Sequence, residues 1–156
     1  MLENAVHQLL SESAQKALET MFFTAPDRVS AEPQRPAGKL IAASLTFRGV
    51  APGRFRIVVS DSVARTLAAN FLGSDDEARL RPGQVAGVVG ELANMICGAV
   101  LSELETNANF DLSGPESIHF GAGEPGPDFT AGSPSICRFE IDGGALVIFL
   151  TFEESA

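Results

Sequence analysis

The chain has 156 residues, 45% hydrophobic and 20% charged, with 11 Phe, no Trp or Tyr, and a formal net charge of −9. One hydrophobic core suits this length, so residues 1–156 are expected to form a single domain. The acidic balance and the dispersal of the few basic residues exclude a reader of phosphate backbones, which needs clustered Lys and Arg to displace counterions.

Residues 2–23 read as a helix, with Val6, Leu10, Ala14, Ala17, Leu18 and Met21 at the helical period. This start lacks a basic segment and is interrupted by Glu3, His7 and Glu12, unlike a secretory signal. No apolar run of about 18 residues is visible anywhere, so no membrane span is expected. Residues 24–38, with three prolines, read as a linker, and residues 39–152 as the core. In that core Ile41, Ala43, Leu45 and Phe47 alternate against Ala42, Ser44 and Thr46; "GVAPG" is turn chemistry, and Phe55, Ile57 and Val59 resume the alternation, which makes a hairpin. Ser60 or Asp61 can cap a short helix with Val63, Leu67 and Phe71 inward and Gly73 at its end. After a charged loop, a long helix is expected from Gln84 to Glu105. Residues 110–135 begin with short strand-like pieces and turn irregular and rich in Gly and Pro. "ICRFEI", a "DGG" turn and "ALVIFLTF" form the strongest hairpin signal. The last strand is apolar on both parities, which suits the centre of a sheet or a subunit interface. Helices grouped apart from hairpin-linked strands predict an α+β fold: an antiparallel-rich sheet with long helices packed on it.

The long helix carries the chemistry. At about 100° per residue, Val85, Val88, Val89, Leu92, Ile96, Ala99 and Val100 form a core stripe. Gln84, Gly87, Glu91, Asn94, Gly98, Ser102 and Glu105 lie opposite. Glu91 and Asn94, three residues apart, project side by side, with Gly87 and Gly98 about one turn to either side. A glycine inside a helix is worse than alanine by roughly 0.8–1.0 kcal/mol, so Gly87, Gly90 and Gly98 together forgo about 3 kcal/mol. Exposed helix faces are polar by default, and a solvated surface explains the pair alone. The flanking glycines ask for more: close packing within the chain, or the close approach of a partner.

"GELANMICGAVLSEL" resembles the signature helix of the CheX/CheC/FliY family, phosphatases of the bacterial chemotaxis response regulator, and the resemblance is nearest to CheX-like domains. It extends more loosely over residues 39–152, including "VVSDSVARTLAANFLG". In that family a Glu-x-x-Asn pair on a long helix is the active site, which maps onto Glu91 and Asn94. Members often carry Ser or Asp where this chain has Gly87, and some carry a second such pair; here Glu19 is followed three residues on by Phe22.

The resemblance implies a substrate: the aspartyl phosphate of a partner receiver domain. A carboxamide offers both donor and acceptor and can orient a water, the role implied for Asn94. Glu91 is implied to pair with a receiver lysine, and Gly87 and Gly98 to let the partner lie close. No cofactor of its own is expected, since the Mg²⁺ belongs to the receiver. CheX-type relatives also imply a homodimer, and a cytoplasmic location with neither nucleic acid nor membrane as partner is expected. A non-catalytic adaptor for a receiver, and a structural component joined through the last strand, are the competing readings. Elsewhere, His119 has no acid or nucleophile near it in sequence, Ser113 and Ser117 lack a nucleophile-elbow context, and "GAGEPG" lacks the Lys and helix of a phosphate loop. Cys97 is expected on the flank of the long helix. Cys97 and Cys137 have no metal-ligand spacing and suit a reducing compartment.

Overall fold

The computed structural model describes residues 2–49, 51–104, 110–126 and 128–153. The first period-two stretch forms β2 (Leu40–Arg48), which pairs antiparallel with β3 (Gly53–Ser60) in the register Ile41–Val59, Ala43–Ile57 and Leu45–Phe55. The terminal hairpin forms β6 (Ser135–Ile141) and β7 (Gly144–Phe152). Its turn places Asp142 and Gly143 at φ 44° and 80°, both in the left-handed region that a two-residue hairpin turn requires. β7 also pairs with β3, so both its edges are occupied. Of the two places its apolar parities suggest, the structure gives the centre of the sheet. Two short strands, β4 (Asp111–Leu112) and β5 (Glu116–Phe120), line up end to end along the outer edge of β2.

The expected linker at 24–38 is corrected by a strand within it. β1 (Arg28–Ser30) pairs with β6, giving the order β1-β6-β7-β3-β2 with β4 and β5 on the far edge. Three residues with one apolar side chain carry no period-two signal; this strand exists because the edge of β6 offers unpaired backbone groups.

Three helices, α1 (Leu2–Met21), α2 (Asp61–Leu72) and α3 (Pro82–Leu104), cover one face of the sheet. In α1 the buried positions are Val6, Leu10, Ala14, Leu18 and Phe22, a strict four-residue step, whereas Met21 is 45% exposed. Phe22 therefore replaces Met21 as the anchor, just past the end of the helix, and its ring stacks on Phe71 of α2 with centroids 5.0 Å apart. The Thr24 N–H reaches back to the Leu18 carbonyl at 2.9 Å, and Phe23 between them takes φ 53°, a helix-ending geometry in which glycine is usual. His7 Nδ1–H donates to the Ile136 carbonyl at 2.7 Å and ties α1 to β6.

Gly73 ends α2 at φ 68°, as expected, but the side-chain cap is absent. Ser60 instead accepts from the Ala145 N–H at 2.8 Å and donates to the Ala145 carbonyl at 3.0 Å, joining β3 to β7. Asp61 pairs with Arg65 at 3.1 Å, one turn along the helix.

The opposite face of the sheet is also largely covered. Leu40, Ala42, Val58, Val147 and Phe149 are buried there beneath Phe129, whose ring stacks on Phe149 at 5.7 Å. The Gly- and Pro-rich stretch around residues 121–134 thus has an apolar anchor. The Arg56 guanidinium lies 5.7 Å from the Phe129 centroid, and burial, then neighbouring Arg54, lowers its pKa.

Candidate functional site

α3 begins with Pro82 in its first turn, where a missing N–H loses nothing. The Gln84 side chain reaches back to accept from the Arg81 N–H at 2.9 Å, satisfying a donor that the helix start leaves unpaired. From there α3 packs on α1, α2 and three strands. Val85, Val88, Val89, Leu92, Ile96 and Val100 are buried as the period requires. Ala93, Cys97 and Leu101 are buried too, whereas Ala99, at the margin of the expected stripe, is exposed. The buried arc is wider than one stripe because helices and sheet close on α3 from several sides. For the same reason Cys97 is fully buried rather than on the flank, and burial pushes its thiol up to about 12.

This packing accounts for the apolarity of α3, which corrects the expectation that no stretch of the chain is apolar enough to span a membrane. An 18-residue window of α3 reaches a mean hydropathy of 1.6, long and apolar enough on composition to cross a membrane, and 56% of that window is buried inside the fold. It is placed as a core helix.

What remains open is the side that carries the pair, with Ala99 and Glu103 exposed beside it. Glu91 and Gly87 are exposed, Asn94 and Gly98 are half-buried, and Ser102 is exposed; Glu105 lies outside the described residues. On a helix, positions three apart set their Cβ atoms about 5–6 Å from each other. Neither the Glu91 carboxylate nor the Asn94 carboxamide makes a hydrogen bond or ion pair among the described residues, so both groups are available to water or to a second molecule.

The three glycines separate into two kinds. A Cβ on Gly90 would stand 3.3 Å from Pro115 Cγ and 3.3 Å from Ser117 Oγ. Ser117 donates to the Ala86 carbonyl at 3.0 Å, so Gly90 is where β5 is drawn onto the helix. A Cβ on Gly87 or Gly98 would meet nothing within 4 Å. No contact among the described residues explains those two.

The remaining polar candidates have structural partners or stand apart. Ser113 Oγ accepts from the Thr46 N–H at 2.9 Å. His119 is exposed on β5, opposite Ile41. In "GAGEPG" the Gly121 N–H is already taken by the Glu124 carboxylate at 2.6 Å, the reverse of a phosphate cradle. Glu19 is exposed and Phe22 buried, so α1 presents no second acid–amide pair. Among the described residues, no three His, Cys, Asp or Glu side chains gather closely enough to hold a metal ion.

The arrangement can hold and orient, through a carboxamide and a carboxylate on a packed helix. No curated protein matches the chain. Solved structures do. It matches the chemotaxis protein CheX of Desulfovibrio desulfuricans with a TM-score of 0.75 at 18% identity, covering 96% of this chain and 99% of that one. CheX of Vibrio vulnificus matches with a TM-score of 0.72 at 25% identity, covering 94% and 95%. The CheX–CheY–BeF3–Mg complex of Borrelia burgdorferi matches with a TM-score of 0.69 at 19% identity, covering 94% and 97%. The model of the family described as chemotaxis phosphatase CheX matches residues 41–124, more than half of the chain and the whole of α3, and on that match the chain belongs to the CheX family.

Proposed function

We propose that this protein hydrolyses the aspartyl phosphate of a response-regulator receiver domain, with Asn94 and Glu91 as its site. The observation that carries the reading is the pair itself: an acid and an amide without partners among the described residues, neighbours on the open face of a helix whose other side is buried. The Borrelia complex, in which a CheX binds CheY with BeF3 and Mg, supports a receiver as the partner.

Acyl phosphates need little covalent help, and phosphoryl transfer is governed by positioning and charge stabilisation. Asn94 accepts a hydrogen bond from the attacking water and donates one, fixing its lone pair in line with phosphorus. The water oxygen forms the new P–O bond while the bond to the receiver's carboxylate breaks. The carboxylate leaves with the electron pair, and the water's proton passes to the released phosphate or to solvent. Glu91 is repelled by phosphate and pairs instead with a receiver lysine, which sets the helix over the acceptor. Gly87 and Gly98 leave room for that approach. Mg²⁺ belongs to the receiver, and the chain contributes no cofactor. The setting is the cytoplasm, and a homodimer of a single-domain chain is the assembly that the family resemblance suggests.

The test is the decay of a ³²P-labelled receiver, alone, with the protein, and with Asn94→Ala. Acceleration lost in Asn94→Ala but with receiver binding retained is the expected result. Acceleration that survives the substitution refutes the assigned role. Binding without acceleration supports the adaptor reading.

A further inference from the structure

Glu91 does not stand on a flat surface. Beside it is an open depression of about 310 Å³, walled by Phe71 and Leu72 at the end of α2 and by Val88 of α3, with Gly83 and Gly87 as its floor. An engineered cavity of about 150 Å³ holds benzene, so this one has room for a large side chain. Both floor glycines lie in α3, and a Cβ on either would meet nothing within 4 Å. The helix thus gives up propensity at two positions, and no atom of the described residues fills the space.

The surroundings are apolar as well. Five large hydrophobic side chains are exposed among the described residues, and three of them, Met21 (45%), Phe23 (74%) and Leu72 (47%), belong to the ends of α1 and α2. Those ends are joined by the Phe22–Phe71 stack and by Asn70 Nδ2, which donates to the Phe22 carbonyl at 2.9 Å. Phe23 also sits in a left-handed backbone conformation, unfavourable for a bulky residue, with its ring in water. Apolar groups gathered in this way mark an interaction surface.

We propose that this depression is a socket for an apolar side chain of the receiver domain, seated when a lysine of the same receiver reaches Glu91. The inference rests on the function proposed above. Continuity fixes the occupant: Glu91 itself lines the depression and is the only charged residue to do so among the described residues, so a molecule that pairs with Glu91 overlies the socket. The complementary surface is an uncharged apolar side chain beside a cation. Asn94, on the other side of Glu91, acts on the phosphate, and the socket contributes to holding the partner rather than to the chemistry.

The probe is the chemotaxis receiver domain bound most tightly by the parent protein, with beryllofluoride and Mg²⁺ standing in for the phosphorylated state. Leu72→Asp, on the α2 wall, should raise the Kd tenfold or more, and Leu72→Met should restore it to within threefold. Gly87→Leu, which fills the floor, should weaken binding similarly without lowering the thermal midpoint. Leu72→Asp and Gly87→Leu both binding within twofold of the parent overturns the socket, while leaving Asn94 and Glu91 to stand on the decay assay. Unchanged receiver binding with loss of self-association in Leu72→Asp assigns the socket to a second copy and also overturns the proposal. If no receiver binds the parent, both the socket and the proposed function fail; if only the Asn94→Ala assay fails, the socket survives as part of an adaptor.

Discussion

Replacing Gly87 and Gly98 together by alanine should make the protein more stable. Both residues lie within α3, neither has a positive φ, and an added methyl at either meets no atom within 4 Å. The substitution therefore leaves the packing alone and removes only the conformational freedom that glycine gives the unfolded chain, worth about 0.8–1.0 kcal/mol at each position. The positions are eleven residues apart, about 16 Å along the axis, far enough for the effects to add to about 1.6–2.0 kcal/mol. For a domain of this size that corresponds to about 3–8 °C in the thermal midpoint. Urea titrations and thermal melts followed by far-ultraviolet circular dichroism measure it. Two controls come from the same backbone. Gly144→Ala would bring its Cβ to 2.6 Å from Val63 Cγ2 and 2.7 Å from Ser60 Oγ and should destabilise. Gly90→Ala, against Pro115 and Ser117 at 3.3 Å, should fall well short of the gain at the open positions. A double variant no more stable than the parent would refute the claim that the open face of α3 is kept lean at the expense of stability.

Two further outcomes follow from buried groups. Ser60→Ala removes the hydroxyl that both donates to and accepts from Ala145, leaving a buried N–H and carbonyl short of a partner; a loss of about 1–3 kcal/mol in urea titration is expected. The thiols of Cys97 and Cys137 are pushed by burial from the ordinary 9.0 up to about 12 and about 11. Above pH 9 the unfolded chain ionises its thiols while the folded one keeps its protons, so these two groups make stability fall as pH rises from about 9 towards 11–12, by at most about 1.4 kcal/mol per pH unit for each thiol. At pH 8 both should react with a thiol reagent only after denaturation, and rapid reaction in the native state would contradict their burial.

The elements legible in the sequence are those whose signal is periodic. The hairpin of β2 and β3, the terminal hairpin with its Asp142–Gly143 turn, and α3 all declare themselves through spacing and turn chemistry. What escaped notice depends on neighbours. β1 is held by the edge of β6, and Val29 is its one apolar residue. Ser60 lies where a capping serine should be, yet Ala145 competes successfully for its hydroxyl. Ala42 shares the parity of Ser44 and Thr46 and reads as outward, but Phe129 from a distant loop helps close that face. Met21 and Phe22 differ by one helical step, and only the stack on Phe71 decides between them. The candidate site divides in the same way. The adjacency of Glu91 and Asn94 is local helix geometry and can be read from spacing, whereas the depression beside Glu91 needs the end of α2 to lie against α3, a tertiary contact without a sequence signature.

The placement of the pair on the most enclosed helix has a physical logic of its own. A reaction aided by orienting one water needs the orienting amide held to within about half an ångström, and a loop would have to be ordered each time it worked. α3 is held from the inside by its buried arc. It is held from the side by β5, through Ser117 on the Ala86 carbonyl and Pro115 over Gly90. It is fixed at its start by Gln84 on the Arg81 N–H. A helix gripped in this way can neither roll nor slide, so the direction in which Asn94 leaves the backbone is set before any partner arrives. On the proposed function the partner lies against the face that this packing leaves open, where an added side chain would hold it off. On that reading glycine at 87 and 98 keeps the face lean while the buried side of the same helix holds the amide in place.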